Sequence, residues 1–239
     1  MKFGSVENPS EIDFILPGDQ FKSFESSDDE FSINIGYPKW AKKDLPGLFP
    51  KGIKDELAYY SSQFDAIELN ATFYNAYTSE QIEKWKNRTE QGFLFYPKVH
   101  KFISHVKRLK DTRDSVDRFC EAVWSFGEKL GTCFLQLHDN FSPENMERLA
   151  VFLDNWPVDV PLAIELRHAG WYTNQSIYTA LSQLLSTHQV TNIITDTAGR
   201  RDLMHMNPVN KNPFIRFVAT GHESDFKRLD DWTKRLGEW

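Results

Sequence analysis

Cysteine is nearly absent: Cys120 and Cys133 are the only two in 239 residues, which excludes a disulfide framework and predicts two reduced, buried thiols. No apolar run approaches the roughly 20 residues that cross a bilayer. The opening Met1-Lys2-Phe3-Gly4-Ser5-Val6-Glu7 also lacks the apolar stretch of a signal peptide. Both absences predict a cytoplasmic protein with no membrane partner. No glycine-rich phosphate loop follows the first apolar run, as an open nucleotide-binding fold would require. Spacings of the His-Glu-x-x-His or paired-cysteine kind are missing, so no motif names a cofactor, and a divalent metal stays open without being indicated by spacing.

What is present describes a globular chain. Hydrophobic residues make up 40%, aromatic 14% and charged 26%, enough to bury a sizeable single core. The net charge of -6 sits in one place. Residues 1–30 hold eight acidic and two basic side chains, so the remainder is balanced. This divides the chain into an acidic N-terminal arm, 1–30, that hugs the surface or moves freely, and a folded domain, 31–239.

From residue 31 onward, β-rich runs alternate with amphipathic stretches. The runs span 31–36, 65–70, 93–99, 132–138, 162–167, 191–196 and 213–219; the helical stretches span 53–63, 79–88, 115–129, 143–155, 174–185 and 225–236. Thr78-Ser79-Glu80 and Ser142-Pro143-Glu144 are helix starts, with a capping hydroxyl, acids in the first turn and proline at the first position. Strand and helix alternating at this spacing predict parallel strands joined by crossovers, hence α/β.

Side-chain parity selects between an open sheet and a barrel. In Ala66-Ile67-Glu68-Leu69-Asn70 and Ala163-Ile164-Glu165-Leu166-Arg167 the large apolar residues take one face and the polar ones the other. A barrel strand has this pattern, apolar outward beneath helices and polar inward near its C-terminal end. The expectation is therefore a TIM (β/α)8-type barrel. Only seven strands are counted, so the barrel is expected to lack its eighth strand or to be truncated before it, with Ile12-Asp13-Phe14-Ile15-Leu16 as a poor candidate to fill the gap.

The strings Gly36-Tyr37-Pro38-Lys39-Trp40, Leu57-Ala58-Tyr59-Tyr60 and Ile67-Glu68-Leu69-Asn70-Ala71-Thr72-Phe73-Tyr74 resemble the YecE-like family, the domain of unknown function numbered seventy-two. So do the later blocks around Phe93 to Lys98, Leu130 to Leu137, Ala163 to His168 with Trp171-Tyr172, and Arg216, in the same order. The resemblance implies a TIM-type barrel without an established biochemical activity. Two departures stand out: no final strand bearing asparagines, and Gln136-Leu137-His138-Asp139 where the family commonly has Gln-Leu-Pro-Pro.

Barrel chemistry belongs at the C-terminal ends of strands. Parity and position there assemble Glu68, Glu165 and Asp196 with Lys98, Arg167 and Arg216, three charges of each sign. Glu68, Glu165, Lys98, His138, His168 and Asp196 are the candidate catalytic residues. Carboxylates near cations can be driven to different pKa values, as proton transfer requires. Arg167 and Arg216 suit phosphate or carboxylate, and Tyr37, Trp40, Asn70, Tyr74, Tyr96, His105 and Trp171 complete the candidate ligand contacts. The reading favoured is an enzyme that binds an anionic, phosphorylated or nucleotide-like ligand at the barrel mouth, with acid/base or hydrolytic chemistry of the phosphodiesterase or sugar kind. The first rival is a non-catalytic nucleic-acid or nucleotide binder, using the segment 98–118 with its seven basic and three acidic side chains, together with Arg200-Arg201. The second is a lattice of ion pairs that only plugs the lumen. Oligomeric state is not encoded in any of these features.

Overall fold

A computed structural model describes residues 4–20 and 32–239. The chain forms two compact units. The first, residues 32–138 and 147–163 as described, opens with β1 (Gly36–Tyr37), α1 (Glu56–Ser61), β2 (Ala66–Leu69), α2 (Ala71–Tyr74), α3 (Ser79–Lys86), β3 (Leu94–Pro97), α4 (Arg113–Trp124) and β4 (Cys133–Gln136). It also holds α5, which starts at its boundary (Met146–Asp154), and the first half of β5 (Leu162–Glu165). The second unit, 4–20, 139–146 and 164–239, contains the end of β5, α6 (Gly170–Thr173), α7 (Gln175–Thr187), β6 (Thr191–Asn192), β7 (Ile194–Asp196), β8 (Ile215–Phe217) and α8 (Ser224–Glu238).

Capping chemistry explains the helix starts. Asp55 accepts from the Ala58 amide, Thr78 from Gln81, and Asn174 from Ser176 and Ile177, each satisfying an amide with no partner inside its helix. In α8 the buried residues Asp225, Arg228 and Trp232 recur at helical spacing and mark the packed face. In the first unit, β1, β2 and β3 pair in parallel, with Glu68 opposite Tyr96, and single parallel bridges join the β3 segment to the β4 segment at Phe95 with Leu130 and Lys98 with Phe134. In the second unit β7 and β8 pair in parallel, with Thr195 opposite Arg216. Cys120 and Cys133 are free and buried as expected, and burial pushes both thiol pKa values up, that of Cys120 to about 12.

The architecture is thus mixed α/β with parallel strands. Among the described residues the strands make separate ladders and do not close into one ring. Three expectations are corrected. The expected first strand is reduced to Gly36–Tyr37, with Phe31 outside the described residues. The expected strand 191–196 is two short strands interrupted at Ile193, whose amide bonds to the Ile164 carbonyl. The run Ile12 to Leu16 forms no strand. Its Phe14 instead packs face-on against Arg228, 4.4 Å from the guanidinium carbon, and Leu16 packs on the cluster of Ile194, Met206 and Trp232.

Candidate functional site

The end of β5 carries a tightly constrained charge. The Glu165 side chain is 1% exposed and accepts hydrogen bonds from Arg167 Nε at 2.5 Å and from Arg216. Burial alone would raise its pKa, but Arg216 and then Arg167 outweigh that cost and hold it below the ordinary glutamate value. Glu165 is therefore an ionised acceptor that orients two guanidiniums, and this trio carries one surplus positive charge. Both arginine side chains remain 16% exposed.

Beside this trio, Arg167, His168 and Ala169 line a cavity of about 530 Å³ with Asp139, Asn140 and Arg200. Arg200 reaches it from the turn between Ala198 and Leu203, donating to the Arg167 carbonyl at 3.1 Å and gripping Asp202 with two nitrogens at 2.9 Å. His168 Nδ1 accepts from the Gly170 amide at 3.1 Å, which places the proton of a neutral ring on Nε2. Gly170 is needed for that approach, since a Cβ there would sit 2.9 Å from Nδ1. Below, the buried Trp171 donates from its indole to the Phe141 carbonyl, fastening the 139–146 segment that supplies Asp139 and Asn140.

Asp196 does not join this group. It is fully buried and faces α8: one oxygen meets Arg201 at 2.5 Å and Arg228 at 2.9 Å, while the other accepts from the Trp232 indole at 2.8 Å. Parallel partners share a face, so Thr195, opposite Arg216, occupies the side expected for Asp196. Strand alternation then turns Asp196 to the opposite face, toward Arg228 and Trp232. Trp171, expected as a rim contact for ligand, is a core residue with no exposed ring. Asp139, Asn140, Arg200 and Thr195 were not selected from the sequence; Arg200 alone had a signal, in the Arg200-Arg201 pair after the sixth run.

The first unit gathers the remaining candidates. Lys98 is buried, donates to Gln136 at 2.9 Å and lies 4.6 Å from the Phe73 ring centre. Phe73 meets Tyr74 and His105 edge-on at 5.0 Å, and His105 meets His138 at 5.8 Å. Glu68 accepts from Asn70 at 2.8 Å and shares its strand face with Tyr96, whose phenol is pushed up by burial. Tyr37 and Trp40 stand apart from that set, packed edge-on against Phe64 and Trp85. Among the described residues no three His, Cys, Asp or Glu side chains converge as metal ligands would, and no helix is long and apolar enough to cross a membrane.

Comparison with known proteins shows relatives along most of the chain. The family model "Protein of unknown function DUF72" matches residues 34–239. UPF0759 protein YecE of Escherichia coli K12 is 27% identical over 226 residues, covering 87% of this chain and 82% of its own length. UPF0759 protein YunF of Bacillus subtilis 168 is 23% identical over 238 residues, covering 86% and 83%. Two crystal structures share the fold: a DUF72 family protein of Enterococcus faecalis V583, with TM-score 0.67, 19% identity and coverage of 86% and 85%, and one of Thermotoga maritima MSB8, with TM-score 0.65, 20% identity and coverage of 84% and 86%.

Proposed function

The chain belongs to the DUF72 family, and from that premise we propose that it is an enzyme that binds a small phosphorylated ligand beside the end of β5 and performs acid/base chemistry on it. The observation that carries this reading is the buried Glu165 carboxylate aligning Arg167 and Arg216 next to a polar cavity walled by Arg167, His168 and Arg200. Planar guanidiniums suit the oxygens of a phosphate, and a fixed carboxylate behind them supplies the orientation that a lone arginine lacks. Glu165 is an aligning anion in this reading, because its lowered pKa keeps it from donating a proton. His168 Nε2 is the candidate donor and Asp139 the candidate acceptor. Among the described residues that line the cavity there is no Phe, Tyr or Trp, which favours a phosphorylated polyol over a ligand with a base to stack.

The reading assumes a TIM-type barrel, supported by parallel pairing of strands adjacent in the chain with helices between them. In the first unit, Glu68 and Lys98 stay candidates for acid/base work in their own cluster. Isothermal titration with inorganic phosphate and with a hexose phosphate tests the reading: saturable binding is expected, weakened about tenfold or more by Arg167→Gln. Absence of saturable binding would refute it. The nucleic-acid reading draws on exposed Lys101, Lys107, Lys110 and Arg113 around a π-helical turn, Phe102–Val106, and predicts oligonucleotide binding that falls steeply with salt.

A further inference from the structure

The acidic arm is not loose where it is described. Gly4 offers its carbonyl to the Gly199 amide at 3.0 Å and to the Thr197 hydroxyl at 3.3 Å. The approach is close enough to require glycine on both sides. A Cβ on Gly4, at φ +73°, would lie 1.8 Å from Thr197 Oγ1, and one on Gly199 would lie 2.9 Å from the Gly4 carbonyl carbon. Further along the arm, the Ile15 carbonyl accepts from Arg201 at 3.2 Å, and Phe14 lies under the same guanidinium at 5.6 Å. The Pro17 carbonyl and Asp19 hold Arg235 of α8 at 2.9 and 2.7 Å, and the Gln20 amide bonds to the Met206 carbonyl.

Gly199 and Arg201 flank Arg200, the residue that reaches the cavity. Arg200 also has a non-helical backbone, φ -142° and ψ 52°, between two short helical turns. A kinked residue gripped on both sides has its direction set by the grips. We propose that residues 4–20 are a positioning strap: by holding Gly199 and Arg201 they aim Arg200 at the Arg167 and His168 wall and so set the affinity of that cavity for an anion. Gly4 and Gly199 are positioning residues in this inference, which rests on the phosphate reading above.

Two variants of the full chain test it, Gly4→Val and Gly199→Ala, each made in the wild type and in Arg200→Gln. Hydrogen exchange reads the grip without any ligand. The Gly199 amide should exchange about tenfold faster or more in Gly4→Val, while the Ile194 amide, bonded to Phe214, keeps its protection. Titration with inorganic phosphate reads the consequence. Either variant should raise Kd about tenfold in the wild-type background and less than about twofold once Arg200 is gone, because the strap acts through that side chain. Unchanged exchange at Gly199 would overturn the strap, and equal losses in both backgrounds would show general loosening in place of aiming. Should Gly4→Val fail to fold, Gly199→Ala carries the same phosphate comparison. A wild type that binds no phosphate refutes the phosphate reading, and the claim on affinity with it, whatever exchange reports about the grip.

Discussion

Replacing Glu165 by glutamine keeps the shape and removes the charge between Arg167 and Arg216. One arginine can still donate to the amide oxygen, but the other then faces an NH2 group, and the trio rises from one surplus positive charge to two. Breaking a buried pair costs about 3–5 kcal/mol. Both guanidiniums retain some contact with water, so the lower end applies, about 3 kcal/mol. For a chain of this size that is a fall in Tm of about 6–12 °C. The pH dependence supplies the check. Glu165 is depressed below its ordinary value of 4.5, so its stabilisation is complete above the unfolded pKa and is lost as pH falls through the lower folded one. Urea denaturation of wild type and Glu165→Gln should show a constant gap from pH 6 upward that narrows below about pH 4. A gap under about 1 kcal/mol at pH 7, or one that does not narrow in acid, would refute the view that a clamped carboxylate organises this end of β5.

Asp196→Asn should destabilise by about 3–5 kcal/mol, because Arg201, Arg228 and Trp232 all converge on that carboxylate, yet leave phosphate affinity unchanged; a large affinity loss in a folded variant would place Asp196 in the site after all. Thr195 Oγ1 is buried with no hydrogen-bond partner among the described residues, so Thr195→Val should be neutral or stabilising by about 1 kcal/mol, measured by urea denaturation. A clear destabilisation would mean that the hydroxyl is satisfied. His205 is fully buried, with Nε2 donating to the Ile193 carbonyl at 3.0 Å and its ring stacked on Tyr172, and burial lowers its pKa to about 4. The unfolded chain takes up that proton near pH 6.5, so stability should fall as pH drops from about 6.5 to 4, by up to about 1.4 kcal/mol per pH unit. His205→Gln should flatten that part of the profile, and an unchanged slope would assign the proton elsewhere.

Much of this was legible from local chemistry. The cap at Thr78 and the alternation in 66–70 and 163–167 place the elements, because period and capping depend on neighbours in sequence, whereas Ser142 precedes a 3-10 turn, Pro143–Asn145, without a side-chain cap bond. Parity and strand-end position grouped Glu165, Arg167 and Arg216, which do meet. Parity failed at Asp196: Thr195 is the residue opposite Arg216, and Asp196 turns instead to Arg201, Arg228 and Trp232, contacts that no local pattern announces. The Ile12 to Leu16 run reads as a poor filler strand, and its seat is decided by Arg201 and Arg228, roughly 190 to 210 positions away, whose side chains claim the Ile15 carbonyl and the Phe14 ring. Trp171 reads from sequence as a ring for ligand or for the rim, and its full burial and long-range bond to the Phe141 carbonyl make it core instead.

The most direct test of the phosphate site is a crystal structure of the wild-type protein grown with inorganic phosphate. Tetrahedral density is expected in the cavity within hydrogen-bonding distance of Arg167 and Arg200, with Glu165 still clamped behind. A cavity without that density at saturating phosphate would contradict the phosphate reading.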